Sequence, residues 1–301
     1  MSDCLLTLML SSCKSRTVLA ILISSLIITT SVFGFWYVKN ITGGGEDVDL
    51  TVRFLNIGHG LSILITTPDE KNILIDAGSF DTFKSTAVFL DDLNVTKIDA
   101  FIITHPHPDH VSFAVEVLNM CEVERIYMPG NSDNLEPMLW SSVMNATVAE
   151  GCPVYNDTTI SPGDYLEISD EVTFRVMWID SNATRINDSC IVIRMDYRET
   201  SFLFTADIEW VAEAAMMDLG FDLDVDVLQV SHHGVNSGTS SEFLNASTPE
   251  VAIISCGQGY GIPLVPQPGV IERLSGIPTY VTMFNSMVVV EAGNGYSISF
   301  I

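Results

Sequence analysis

Thr104-His105-Pro106-His107-Pro108-Asp109-His110 places three imidazoles and a carboxylate within six residues. The run follows Ala100-Phe101-Ile102-Ile103, a short apolar stretch that reads as a buried strand. His105 and His107 alternate along an extended backbone, so both side chains can point to one side. Pro106 and Pro108 hold that backbone out of the helical region. Asp109 can cap the helix that follows, and its carboxylate and His110 would face a second metal position. Imidazole and carboxylate together suit Zn²⁺, Mn²⁺ or Fe²⁺. Core packing gives no reason for four such groups in one place.

Two later groups extend the pattern. Leu203-Phe204-Thr205-Ala206-Asp207 is an apolar strand ending in a carboxylate before a helix, and Val230-Ser231-His232-His233-Gly234 again puts polar groups at a strand end. Ligand sites of open α/β sheets gather where strands end. Asp207 alone reads equally well as a helix cap; beside His105 to His110 it completes a convergent metal site.

Around these points the chain reads as a meander (Leu50–Ile57, Leu61–Thr66, Asn72–Asp76), a helix from about Thr82 to Leu93, and alternating helix and strand to Glu150. A second β-rich set covers Tyr165–Thr205. Helices at Glu209–Leu219, Ser240–Asn245 and Pro268–Leu274 then alternate with strands to Ile301. Meander followed by α/β, twice over, predicts two packed sheets with helices outside.

The order Gly58-His59-Gly60, Asp76-Ala77-Gly78, His105 to His110, Thr205-Ala206-Asp207 and Ser231-His232-His233-Gly234 resembles the metallo-β-lactamase superfamily. More narrowly, it is similar to the C-terminal domain of the ComEC/Rec2 competence proteins and their stand-alone relatives. Supporting stretches are Phe54 to Gly60, Ser231 to Ser240 and Pro249 to Ser255. The resemblance covers residues 50 to 291 and implies a four-layer αββα sandwich with two divalent ions, zinc or manganese. It implies that His105 and His107 hold one ion, that Asp109, His110 and His232 hold the other, and that Asp207 bridges them. Asp109 and His233 are the candidate catalytic residues, His233 either supporting the ligands or touching substrate. Metal-activated water would attack a phosphoryl or carbonyl centre. The chain departs from the family pattern in having no histidine between His110 and His232; Asn187, Asp188 and Ser189 occupy that region. Leu61 stands where an acidic residue follows the Gly-x-Gly, Val111-Ser112-Phe113 replaces a small pair, and the segment 261–266 replaces a late histidine turn.

Residues 17–38 carry no charge and are strongly apolar. About 20 such residues cross a hydrocarbon core of roughly 30 Å. Lys14 and Arg16 precede the run and Glu46, Asp47 and Asp49 follow it, which orients the N-terminus to the cytoplasm. The expected organisation is a cytoplasmic N-terminus (1–16), an anchor or cleaved signal peptide (17–38), a Gly-rich linker (39–49) and an exported domain (50–301). Sequons beginning at Asn40, Asn94, Asn145, Asn156, Asn182, Asn187 and Asn245 agree with export and glycosylation. Cys121 and Cys152 are the candidate disulfide of such a domain.

The net charge is −25. Three of the 13 Lys and Arg and one of the 38 Asp and Glu precede Glu46, leaving 10 basic against 37 acidic residues after it. Such a surface disfavours a non-specific nucleic-acid binder. The expected activity is an extracytoplasmic binuclear hydrolase of the phosphodiesterase or nuclease kind. The alternatives are a small-ester or phosphorylcholine-type phosphodiester hydrolase, or a metal-binding protein without turnover. A single apolar span excludes a translocation channel within this chain. Expected partners are the membrane, through the N-terminal helix, and a phosphodiester or ester substrate.

Overall fold

The computed structural model describes residues 50–80, 84–130, 137–257 and 264–301. The expected anchor and linker, 17–38 and 39–49, lie outside the described residues. Among those described, no helix is long and apolar enough to cross a membrane.

The strands of the first half are β1 Leu50–Leu55, β2 Ile63–Thr66, β3 Asn72–Ile75, β4 Lys97–Ile98, β5 Ala100–Ile102, β6 Glu122–Val123, β7 Ile126–Tyr127 and β8 Val154–Tyr155. Those of the second half are β9 Tyr165–Leu166, β10 Thr173–Trp178, β11 Val192–Tyr197, β12 Thr200–Phe204, β13 Val227–Gln229, β14 Val251–Ile254, β15 Thr279–Val281, β16 Met287–Gly293 and β17 Gly295–Phe300. One sheet runs β17-β16-β1-β2-β3-β5-β7-β8 and the other β15-β14-β13-β12-β11-β10-β9, with β4 and β6 forming a separate short pair. The helices are α1 Thr86–Asp92, α2 Pro108–Val111, α3 Ala114–Met120, α4 Pro137–Glu150, α5 Trp210–Asp218, α6 Ser241–Ser247 and α7 Pro268–Arg273.

Alternation along the strands decides which side of each sheet is covered by what. Leu50, Val52 and Phe54 of β1, Ile63 and Ile65 of β2, and Ile73 and Ile75 of β3 pack with Phe174, Val192, Phe202 and Val227 of the second sheet. On the opposite face of the first sheet, Leu64, Leu74 and Phe101 pack with Leu90 of α1, Val117 of α3 and Val143 of α4. Ala212 and Met216 of α5, Phe243 of α6 and Val270 of α7 belong to the core that includes the second sheet. Helix, sheet, sheet, helix is the layering the sequence pattern predicts. Burying each such Val, Leu, Ile or Phe is worth about 1.5–3 kcal/mol.

Both sheets contain a parallel stretch: β3, β5, β7 and β8 in one, and β12 to β15 in the other. Asp76 follows β3, the histidine run follows β5, Asp207 lies just after β12, and His232-His233 lies just after β13. The polar residues therefore collect at the carboxyl ends of parallel strands, where neighbouring backbones diverge and leave room. The disulfide expected between Cys121 and Cys152 is not formed. Both are free thiols, and Cys121 is buried against α3 with its Sγ 3.4 Å from the Val95 carbonyl.

Candidate metal centre

Asp207 is the hub. The chain leaves β12 through Thr205 and Ala206, the latter in the left-handed region at φ 47°, and the turn buries the Asp207 carboxylate completely. Four imidazoles direct Nε2 toward its Oδ2: His110 at 3.2 Å, His233 at 3.5 Å, His232 at 3.8 Å and His105 at 3.9 Å. His107 joins through Nδ1, 3.0 Å from His105 Nε2. Asp109 completes the set, its Oδ2 3.3 Å from His233 Nε2 and 3.4 Å from His59 Nε2.

The imidazoles are held from behind. His110 Nδ1 donates to Asp76 Oδ2 at 2.6 Å, and His233 Nδ1 donates to the Ser255 carbonyl at 2.7 Å. Thr104 gives its hydroxyl proton to Asp76 at 2.7 Å, which leaves a lone pair on Oγ1 for His105 Nδ1 at 3.1 Å. Occupying Nδ1 in this way leaves Nε2 as the inward-facing nitrogen. Asp76 itself sits at φ 58° and also accepts the Thr104 amide at 2.8 Å. In the sequence Asp76 stands out only as part of a glycine turn; its spacing from Thr104 hides the contact. Gln229 is a second residue that no sequence motif marks. Its Oε1 accepts the Thr205 and Ala206 amides at 2.9 and 2.7 Å, while its Nε2 donates to the Ala206 and Val230 carbonyls at 3.2 and 2.8 Å. It thereby ties the Asp207 loop to the histidine loop. Gly60 has the same kind of structural role, since a Cβ there would stand 2.2 Å from the Asp109 carbonyl oxygen.

The geometry groups the two adjacent histidines differently from the assignment that the resemblance implies. The resemblance puts His232 with Asp109 and His110, and leaves His233 to support the ligands or touch substrate. In the structure His233 is the one grouped with Asp109, His110 and Asp207, their ligand atoms all within 4.8 Å of one another. His232 and His233 both have left-handed backbones, φ 50° and 55°, followed by Gly234 at 81°. This turn sends the two rings in different directions. His233 goes into the interior at 1 % exposure, while the His232 side chain stays 23 % exposed beside Asn187.

Charge is unevenly satisfied here. Burial and the neighbouring His110 hold His105 well below the usual imidazole range, so it is neutral. Burial opposes charge on His233, but the Asp207 carboxylate and a hydrogen bond with Asp109 push it up to about 10. Burial would raise Asp207, yet the charges on His110, His233 and His232 keep it well below the usual carboxylate range.

A family model described as the metallo-beta-lactamase superfamily matches residues 55–258. This chain belongs to the metallo-beta-lactamase superfamily. Within the superfamily it is 27 % identical over 269 residues to ComE operon protein 3 of Bacillus subtilis (strain 168), covering 83 % of this chain and 33 % of that protein. It is 25 % identical over 214 residues to competence protein ComA of Neisseria gonorrhoeae, covering 69 % and 27 %. Recombination protein 2 of Haemophilus influenzae is 27 % identical over 231 residues, covering 74 % and 26 %. The chain thus spans a third or less of these relatives' length. Solved structures similar to it include a diphosphatase of the PhnP family (TM-score 0.47, 13 % identity, 81 % of this chain and 98 % of that one) and a long-form RNase Z from yeast (TM-score 0.47, 11 % identity, 84 % and 42 %).

Superfamily membership implies divalent metal, and the donors suit it. Two donors each about 2.1 Å from a tetrahedral ion lie roughly 3.4 Å apart. The His110–Asp207, His233–Asp109 and His233–Asp207 separations of 3.2, 3.3 and 3.5 Å fit that spacing. Asp207 Oδ1 is buried with no hydrogen-bond partner, an acceptor that a cation would satisfy. Without a cation, protons on His110 and His233 supply the positive charge that the buried carboxylates demand.

Proposed function

We propose that this chain is a binuclear metal-dependent phosphodiester hydrolase. His105 and His107 would hold one ion, Asp109, His110 and His233 the other, and Asp207 both. The observation that carries this reading is the convergence of four Nε2 atoms within 3.9 Å of one buried carboxylate oxygen whose partner oxygen is unpartnered. Bound zinc or manganese would act as a Lewis acid and lower the pKa of water, with typical ion spacing of about 3.5–4 Å.

The protein's own part is preorganisation. Asp76, Thr104 and Ser255 fix ring orientation, and Gln229 fixes the two loops that carry Asp207 and His233. Asp109 is the most exposed member of the Asp109, His110, Asp207 and His233 group at 23 %, which supports reading it as the carboxylate that meets substrate. The relatives' names, competence and recombination proteins, support nucleic acid as a phosphodiester to test. The net charge of −25 favours a short or small phosphodiester over a long polyanion. Export by the apolar 17–38 segment, with membrane attachment and glycosylation, is part of the same proposal. Asn187 is an exception among the sequons, because it packs against His232 inside the site.

The test is hydrolysis of bis-p-nitrophenyl phosphate, single-stranded DNA and a carboxylester by protein loaded with Mn²⁺ or Zn²⁺. Phosphodiester cleavage well above that of His105→Ala is expected. Loaded protein no more active than His105→Ala on all three substrates would overturn the proposal.

A further inference from the structure

The family's usual histidine between the first cluster and Asp207 has no counterpart in this chain, where Asn187, Asp188 and Ser189 stand. Left there, the first metal position would have only His105, His107 and Asp207. One further imidazole approaches the same Asp207 oxygen. His232 Nε2 lies 3.8 Å from Asp207 Oδ2, a spacing matching the 3.9 Å of His105. Its other nitrogen, Nδ1, lies 3.3 Å from Glu209 Oε1.

That arm repeats the arrangement behind His110. There a carboxylate, Asp76, takes Nδ1 and leaves Nε2 facing Asp207. Metal-bound histidines characteristically carry such a partner. Glu209 is itself anchored on three sides. Arg185 pairs with its Oε2, Ser237 donates to Oε1 at 2.9 Å, and its backbone amide donates to Asp188 at 2.9 Å. Arg185 balances the carboxylate's charge, so Glu209 need not be neutralised by the imidazole alone. The left-handed turn at His232 makes this reach possible, since it separates the ring from His233. Asn187 lies against the same ring, its amide nitrogen 3.3 Å from Nδ1, and its Oδ1 is buried without a partner. A protein that used His232 only to contact substrate would have no need of a buried carboxylate behind it, itself held by an arginine and a serine.

We propose that His232, oriented by Glu209 and Arg185, is the fourth protein ligand of the first metal position, replacing the absent histidine. Glu209 is then a positioning residue. This rests on the binuclear reading above, and the experiment separates the two.

The full chain, stripped of metal, is titrated with Co²⁺ while bound ion is counted and the visible absorption of Co²⁺ recorded. The wild type is expected to bind two ions. His232→Ala should retain one and lose or greatly weaken the other, and the retained ion should keep the spectrum of the Asp109, His110 and His233 position. His233→Ala should retain the complementary spectrum. Glu209→Gln, which keeps its shape and its serine contact, should weaken the same event as His232→Ala by about 10–100-fold. If His232→Ala does not fold, as judged by melting of the metal-free protein, Glu209→Gln carries the test. Two ions bound as tightly by His232→Ala or by Glu209→Gln as by the wild type would overturn the inference and leave the binuclear proposal standing. A wild type that binds fewer than two ions would overturn both.

Discussion

Removing the metal should make the protein's stability fall as pH rises, through His233. Its folded-state pKa is pushed up to about 10 by Asp207 and Asp109 against burial, compared with an ordinary 6.5. A group raised in this way contributes fully below pH 6.5, and its contribution is lost as pH climbs through 10. A rise of about 3.5, at about 1.4 kcal/mol per pH unit, corresponds to about 5 kcal/mol. His110 is also raised, by Asp207 and Asp76 against burial, and adds in the same direction. For a domain of this size about 1 kcal/mol moves Tm by roughly 2–4 °C, so a fall of about 10–20 °C is expected. The assay is thermal melting of chelated protein from pH 6 to 10, with His233→Gln as the control for other groups that titrate near 10. Metal-loaded protein should be nearly flat across this range, because a ligating Nε2 carries no proton. A chelated wild type with constant Tm from pH 6.5 to 10, or one that falls no more than His233→Gln, would refute the electrostatic account of the centre.

Asp76→Asn should leave the fold intact but weaken metal binding by about 10–100-fold, because His110 loses its carboxylate partner; competition with a chromophoric chelator reads this, and unchanged affinity would count against the role. Gln229→Ala should lower unfolding free energy by at least about 3 kcal/mol in urea titration, since the buried Thr205 and Ala206 amides and the Val230 carbonyl lose their side-chain partner at about 1–3 kcal/mol for each group left unsatisfied, while the Ala206 carbonyl keeps the His232 amide; a loss below about 1 kcal/mol would show that the loops are tied some other way.

Much of the architecture was legible because it is local. The unbroken apolar runs Ile63-Leu64-Ile65 and Ile73-Leu74-Ile75 read as strands, and the structure adds which residues face each side. His105 and His107 were legible for the same reason: period-two geometry held open by two prolines puts both rings on one side before any tertiary contact exists. The strand-terminal positions of Asp207 and His232-His233 also followed from pattern.

What the sequence could not decide were relations between distant residues and the direction of neighbouring ones. Asp76 and His110 are 34 positions apart, and Gln229 reaches back 23 to Ala206; neither pairing leaves a periodic trace. Whether His232 or His233 joins Asp109 turns on three successive left-handed backbone conformations, which only the packed β13 end imposes. By itself, then, the sequence determined that imidazoles and carboxylates meet at strand ends between two sheets. Tertiary structure alone decided which nitrogen faces which oxygen, because ring direction is set by hydrogen bonds from elements that the chain brings together only when folded.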